Sequence, residues 1–169
     1  MKLTNFLFVA LVVLLASSSA FAQDKQLPSS LTVETTQGQK VSLKEYIAKK
    51  GKVTVVSFWA TWCKPCTNEL DNIASDYYDD WKEEYDIEFV AVSMDNSRTK
   101  SKVAGVVDTK GWEYDILCNP DNTAYQALGF NTIPFTLLID ADGNIVYKHT
   151  GYAPGAEEEL QEAIEKASE

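Results

Sequence analysis

The chain has 169 residues, 15 Lys and Arg against 25 Asp and Glu, a formal net charge of −10, and 45% hydrophobic and 24% charged residues. That length and balance predict one domain with a hydrophobic core of ordinary size and no disordered, repetitive or low-complexity tract. The acidity excludes a nucleic-acid-binding class, because phosphate contacts need clustered basic side chains.

The first segment reads as a targeting leader and not as part of the fold. Lys2 gives a basic start, residues 6–16 an unbroken apolar run, and Ala20-Phe21-Ala22 a small-x-small cleavage pattern that leaves Gln23 as the new N-terminus. The run is shorter than the roughly 20 apolar residues of a comfortable membrane span. An uncleaved N-terminal anchor is the alternative. No Cys follows the cleavage site to take a lipid, and no later segment is apolar enough to cross a membrane. Residues 1–22 are therefore read as a signal peptide, 23–30, polar and containing Pro28, as a linker, and 31–169 as the domain. The expected location is periplasmic or otherwise extracytoplasmic.

Residues 31–34 and 39–41 read as short strands about a turn at Gly38. Ser42 and Glu45 have capping-box spacing and open a helix to about Ala48, closed by Gly51. Residues 53–58 form a β-branched apolar run, a buried central strand. Beyond a cysteine pair, Leu70, Ile73, Ala74, Tyr77, Trp81 and Tyr85 recur at helical spacing. They predict one long amphipathic helix through about Glu84, with its aromatics in the core. Residues 87–93 are a second buried strand, 97–109 are helical, and 115–117 a short strand. Asn119-Pro120-Asp121-Asn122 is turn chemistry. A short helix over Thr123–Leu128 stops at Gly129. Phe135–Ile139 is a third main strand, joined through an Asp142-Gly143 hairpin turn to residues 145–148. Glu157 to Glu159 open a last helix, where acids suit the positive end of the dipole. Strands alternating with helices predict an α/β fold.

The chemistry-bearing motif is Cys63-Lys64-Pro65-Cys66, set between a strand and a helix. There Cys63 would sit at a helix N-terminus, whose unpaired N–H groups and dipole stabilise a thiolate. The thiolate is the nucleophile of disulfide exchange. Cys63 would attack a partner disulfide, and Cys66, one turn along, would resolve the mixed disulfide. Pro65 fits the first helical turn, where no N–H is needed, and Lys64 adds a positive charge beside the thiolate. Half of a zinc site is the first competing reading, but no second Cys-x-x-Cys or His pair accompanies the motif. A purely structural disulfide is the second, weakened because so short a loop yields little stability. No metal and no cofactor beyond the cysteine pair is expected.

The segment Phe58-Trp59-Ala60-Thr61-Trp62-Cys63-Lys64-Pro65-Cys66 resembles the active-site segment of thioredoxin-like proteins, and Thr132-Ile133-Pro134 before a strand resembles their cis-proline loop. With the Asp142-Gly143 hairpin, the likeness covers nearly all of the chain after Leu31. The leader and the extra segment over 96–131 are similar to the extracytoplasmic branch that includes TlpA- and ResA-like reductases of cytochrome c maturation. The resemblance implies a thioredoxin fold: a central mixed sheet flanked by helices, an N-terminal β extension and a helical insert before the cis-Pro strand. It also implies a cis Ile133–Pro134 peptide facing the sulfurs. Pro134 would disfavour metal capture there, and the Ile133 backbone would pair with substrate as a short strand. Trp59 and Trp62 would shape the rim of the site.

Thioredoxins carry a buried acid two residues before the motif's first Trp; here that position is Ser57. Proton transfer at Cys66 then needs another group. Asp95, after the second buried strand, is the candidate; a loop Asp capping the next helix is the competing reading. Cys118 is read as a buried thiol, with an auxiliary redox thiol or intermolecular pairing as alternatives. His149 is read as structural. The expected function is reduction of disulfides in exported proteins, fed by a membrane electron donor, by a monomer. A peroxiredoxin-like peroxidase and a non-catalytic binding module are the alternatives. Thr61 lies two residues before Cys63, whereas peroxidatic sites place Thr or Ser three before.

Overall fold

The computed structural model describes residues 26–169; the leader and the start of the linker lie outside the described residues. Three apolar runs make the middle of one sheet: β3 (Thr54–Trp59), β4 (Glu88–Ser93) and β6 (Phe135–Ile139), with every residue of β3 and β6 buried. Strands so uniformly apolar can be stable only when both sheet faces are covered. β4 runs parallel to β3, and β6 antiparallel to it on the other side.

The sheet grows outward from this centre to seven strands. A hairpin of β1 (Thr32–Thr35) and β2 (Lys40–Ser42) turns at Gly38, whose φ of +82° suits glycine. β5 (Asp115–Cys118) runs parallel to β4 and antiparallel to β1, and β7 (Ile145–Thr150) antiparallel to β6. The order is β2-β1-β5-β4-β3-β6-β7. The fold is the expected thioredoxin-like one. The insert, however, is more than helical: its strand β5 joins the β1–β2 extension to the central sheet.

Side chains alternate between two apolar layers. Val56, Phe58, Val90, Val92, Leu137 and Ile139 face α1 (Leu43–Ala48) and α5 (Thr123–Leu128). Val55, Trp59, Phe89, Ala91 and Leu138 face α2 (Lys64–Asn72), α3 (Tyr78–Tyr85), α4 (Val103–Lys110) and α6 (Ala156–Ser168). Ser42 Oγ caps α1 by accepting from Glu45 N–H at 3.4 Å. The described end of the expected linker belongs to the packed domain: Leu27 is buried in the first layer and Gln26 bridges to Asn144.

The long helix expected after the cysteines is broken by a π-helical turn at Ile73–Tyr77, where Tyr78 N–H bonds back to Ile73 C=O. One extra residue in that turn rotates the helix beyond it. Tyr78 takes the buried position expected of Tyr77, and Trp81, one turn on, still lands in the core. Likewise the helix expected over 97–109 starts late, as a 3-10 turn at Lys100–Lys102 leading into α4, which Gly111 ends at φ +67°. Among the described residues no helix is long and apolar enough to cross a membrane.

Candidate functional site

The parallel strands β3, β4 and β5 end at one edge of the sheet, where Met94 N–H bonds to Trp59 C=O and Asn119 N–H to Ser93 C=O. Open α/β sheets place their sites beyond such carboxyl ends. The chain leaves β3 into a tight turn, closed by Cys63 N–H on Ala60 C=O at 3.0 Å, and enters α2. Cys63 is the N-cap of α2 and Pro65 lies in its first turn.

Cys63 and Cys66 are joined as a disulfide. Cys63 Sγ accepts from Cys66 N–H at 3.3 Å, the position in which a thiolate would be held by the helix N-terminus. Cys63 keeps 6% of its surface exposed and Cys66 none, so one sulfur can meet a partner and the other cannot. Lys64 and Pro65 are exposed beside them.

The Ile133–Pro134 peptide is cis. Ile133 C=O lies 3.8 Å from Cys63 Sγ, and Pro134 is buried while Ile133 is half-buried. The two tryptophans separate. Trp62 is 62% exposed and forms the rim. Trp59 is fully buried, edge-on to Trp112 with ring centroids 5.0 Å apart. Trp59 therefore does not shape the rim; as the last residue of β3 its side chain faces the helix layer.

Asp95 is fully buried, and its carboxylate is occupied. It accepts from Thr61 N–H at 2.7 Å, Thr61 Oγ at 2.7 Å and Ser93 Oγ at 2.9 Å. It does not cap the next helix; Asn96 serves that turn through Arg98 N–H. Asp95 thus clamps the loop two residues before Cys63. Asp95→Ala should leave these donors without an acceptor and destabilise the fold by about 3 kcal/mol, read as a lower urea midpoint. An unchanged midpoint would contradict the clamp.

Sequence reasoning missed Glu69. It sits one helical turn after Cys66, so the two side chains are neighbours, and it is 4% exposed. Its Oε1 accepts from Thr136 Oγ at 3.2 Å, while Oε2 has no partner among the described residues. Burial pushes the carboxyl up to about 7; the Thr136 hydrogen bond opposes that rise and the charge of Glu157 adds to it. Ser57 is the cross-strand neighbour of Thr136, buried, with an unpartnered Oγ. The position where thioredoxins carry an acid is thus faced by an acid from the helix.

Cys118 is free and buried, and burial raises its thiol pKa. A thiol so placed does not present itself to another molecule. Among the described residues no cluster of His, Cys, Asp or Glu could hold a metal ion.

Comparison with known proteins fits this geometry. The model of the AhpC/TSA family matches residues 21–148. The thiol-disulfide oxidoreductase ResA of Bacillus cereus is 25% identical, with 98% of each chain covered. The solution structure of a thioredoxin-like protein from Porphyromonas gingivalis is 35% identical, covers 85% of this chain and 92% of its own, and superposes with a TM-score of 0.75. The crystal structure of StoA from Bacillus subtilis shares the fold at 24% identity and a TM-score of 0.61, with 80% of this chain and 98% of that one covered.

Proposed function

The chain belongs to the AhpC/TSA family, and we propose that it is an exported thiol–disulfide oxidoreductase that reduces protein disulfides through Cys63 and Cys66. The observation that carries this reading is a slightly exposed Cys63 at a helix N-cap, bonded to a buried Cys66 and facing the Ile133–Pro134 loop. The name of the Bacillus cereus relative supports the same class.

In the reduced protein the Cys63 thiolate attacks one sulfur of a substrate disulfide, and the other substrate sulfur leaves. Substrate backbone is held along Ile133, whose own N–H and C=O carry no backbone hydrogen bond among the described residues. Cys66 then gives its proton to Glu69 and attacks Cys63 Sγ, which frees the second substrate sulfur and closes the Cys63–Cys66 disulfide. Glu69 takes the role that the sequence suggested for Asp95, because its oxygen is free and Asp95's are not. Substrates in this reading are disulfides of exported proteins. Cytochrome c maturation or envelope redox homeostasis is the setting that the family likeness suggests, and a membrane donor would re-reduce the pair.

The reduction potential of the Cys63–Cys66 couple tests the direction. A value of roughly −250 mV or lower supports a reductase, and one near about −120 mV an oxidase. A peroxidase is disfavoured by the engagement of Thr61 with Asp95 through both N–H and hydroxyl. Rapid peroxide consumption by the reduced protein would restore it.

A further inference from the structure

Behind Glu69 lies a cleft with about 10 Å³ open to water, the room of roughly one molecule. Its walls come from α2, β6, β7 and α6: Glu69, Thr136, Tyr147, His149 and Glu157 supply the polar groups. The register explains why they meet. Ser57, Thr136 and His149 stand directly opposite one another across β3, β6 and β7, so their side chains share the face that α2 and α6 cover. Glu157 is itself 3% exposed, and its Oε1 accepts from Tyr152 OH at 2.8 Å and from Asn72 Nδ2 at 3.2 Å. His149 and Tyr147 are half-buried and form the outer wall.

A buried acid that serves Cys66 must exchange its proton with water once in each cycle. The front of the site offers no such path, since Cys66 has no exposed surface and the loop before Cys63 is clamped by Asp95. The rear does. We propose that this cleft is the proton port of the redox site, through which Glu69 exchanges protons with solvent, with Glu157 and His149 on its walls governing that exchange. The inference rests on the disulfide-exchange reading above. In the resolving step the Cys66 proton passes to the Glu69 carboxylate. The Cys66 sulfur then bonds to Cys63 Sγ, the bond from Cys63 to the substrate sulfur breaks, and that sulfur leaves as a thiolate protonated by solvent. The substrate disulfide has gained two electrons and the cysteine pair has lost them. Glu69 now carries the proton, and the cleft returns it to water.

The titratable groups around Glu69 are Glu157 from α6, His149 and Tyr147 from β7, Tyr152 from the loop after β7, Tyr114 from the insert and Cys66 on its own helix. Of these, Glu157 is the buried carboxylate, and a like charge close by disfavours ionisation of Glu69. Glu157→Gln keeps an oxygen for Tyr152 but removes the charge.

The experiment mixes the reduced protein with dithiobis(nitrobenzoate) and follows thionitrobenzoate release over a range of pH. The first equivalent reports attack by Cys63 and the second reports resolution by Cys66. In the wild type the second phase should rise with pH through the region of the Glu69 ionisation. In Glu157→Gln its midpoint should move to lower pH, with the first phase unchanged. For reduced protein held at pH 5 and mixed into reagent at pH 8, so that Glu69 must first shed its proton through the cleft, His149→Phe, which puts an apolar ring in the wall, should slow the second phase severalfold. Second phases that match the wild type in both variants overturn the port. A wild-type protein that releases no thionitrobenzoate at all sinks the exchange reading itself, a different and recognisable failure.

Discussion

Cys63→Ser should lose disulfide exchange with a protein substrate by on the order of a thousandfold or more, with the fold intact. The hydroxyl has neither the acidity nor the nucleophilicity of a thiolate at the same helix N-cap. No other thiol can take over. Cys66 is fully buried, and Cys118 is buried on β5 and held in its protonated form. Stability should change little, because a disulfide that spans a sequence separation of 3 closes too short a loop to restrain the unfolded chain strongly. Cys66→Ser should behave differently: Cys63 still attacks, but the mixed disulfide is not resolved and accumulates. Mass spectrometry of the protein after incubation with an oxidised protein substrate separates the two variants, with an adduct in Cys66→Ser and none in Cys63→Ser. Retention of full activity by Cys63→Ser would move the chain to the binding-module class, in which the fold only docks a partner.

The parts of the fold legible in the sequence are those set by local periodicity. The β3 and β6 runs, the Ser42 cap, the Gly38 turn and the Thr123–Leu128 helix come out within a residue or two of where composition puts them. Long-range decisions are not legible. Residues 115–117 read only as a short strand, yet their pairing with β1 and β4 joins the β1–β2 hairpin to the rest of the sheet. The π turn at Ile73–Tyr77 escapes because Tyr77 and Tyr78 are the same residue type, and either fits a helical stripe. Only packing against Phe89 and Tyr114 selects Tyr78.

The site divides along the same line. Cys63, Cys66, Ile133 and Pro134 can be placed because the motif and the loop are written in consecutive letters. Asp95 is visible as an acid near the end of β4, but its three donors are not, and they make it a clamp in place of a proton carrier. Trp59 is expected at the rim because it neighbours the cysteines in sequence; strand alternation turns it inward. Glu69 resembles any solvated helix charge in the stretch from Asn68 to Asn72. A signal is present all the same: positions 66, 69, 70 and 73 share one face, and the other three are a cysteine and two aliphatics destined for the core.

Glu69 also leaves a thermodynamic signature. Its carboxyl ionises near 4.5 in the unfolded chain and at about 7 in the native protein. The native state therefore binds the proton more tightly, and linkage fixes the sign. The stability gained from protonated Glu69 is fully present below pH 4.5 and is lost as pH rises through about 7. That displacement corresponds to about 3 kcal/mol between the two limits. Glu69→Gln should remove the slope. Glutamine is close in shape, keeps an oxygen for Thr136 Oγ, and carries no charge to desolvate. Urea unfolding of the oxidised protein at pH 5 and pH 8 measures the difference: the wild type should be weaker at pH 8 relative to pH 5, and Glu69→Gln should show the smaller change by about the same amount. The same substitution leaves Cys66 without a base, so the resolving step should slow in a protein that has become more stable at pH 8. A gain in stability coupled to a loss in rate marks a group held for chemistry at the expense of the fold. Equal pH slopes in the two proteins would place the Glu69 ionisation near its ordinary value, and the acid serving Cys66 would then have to be sought elsewhere.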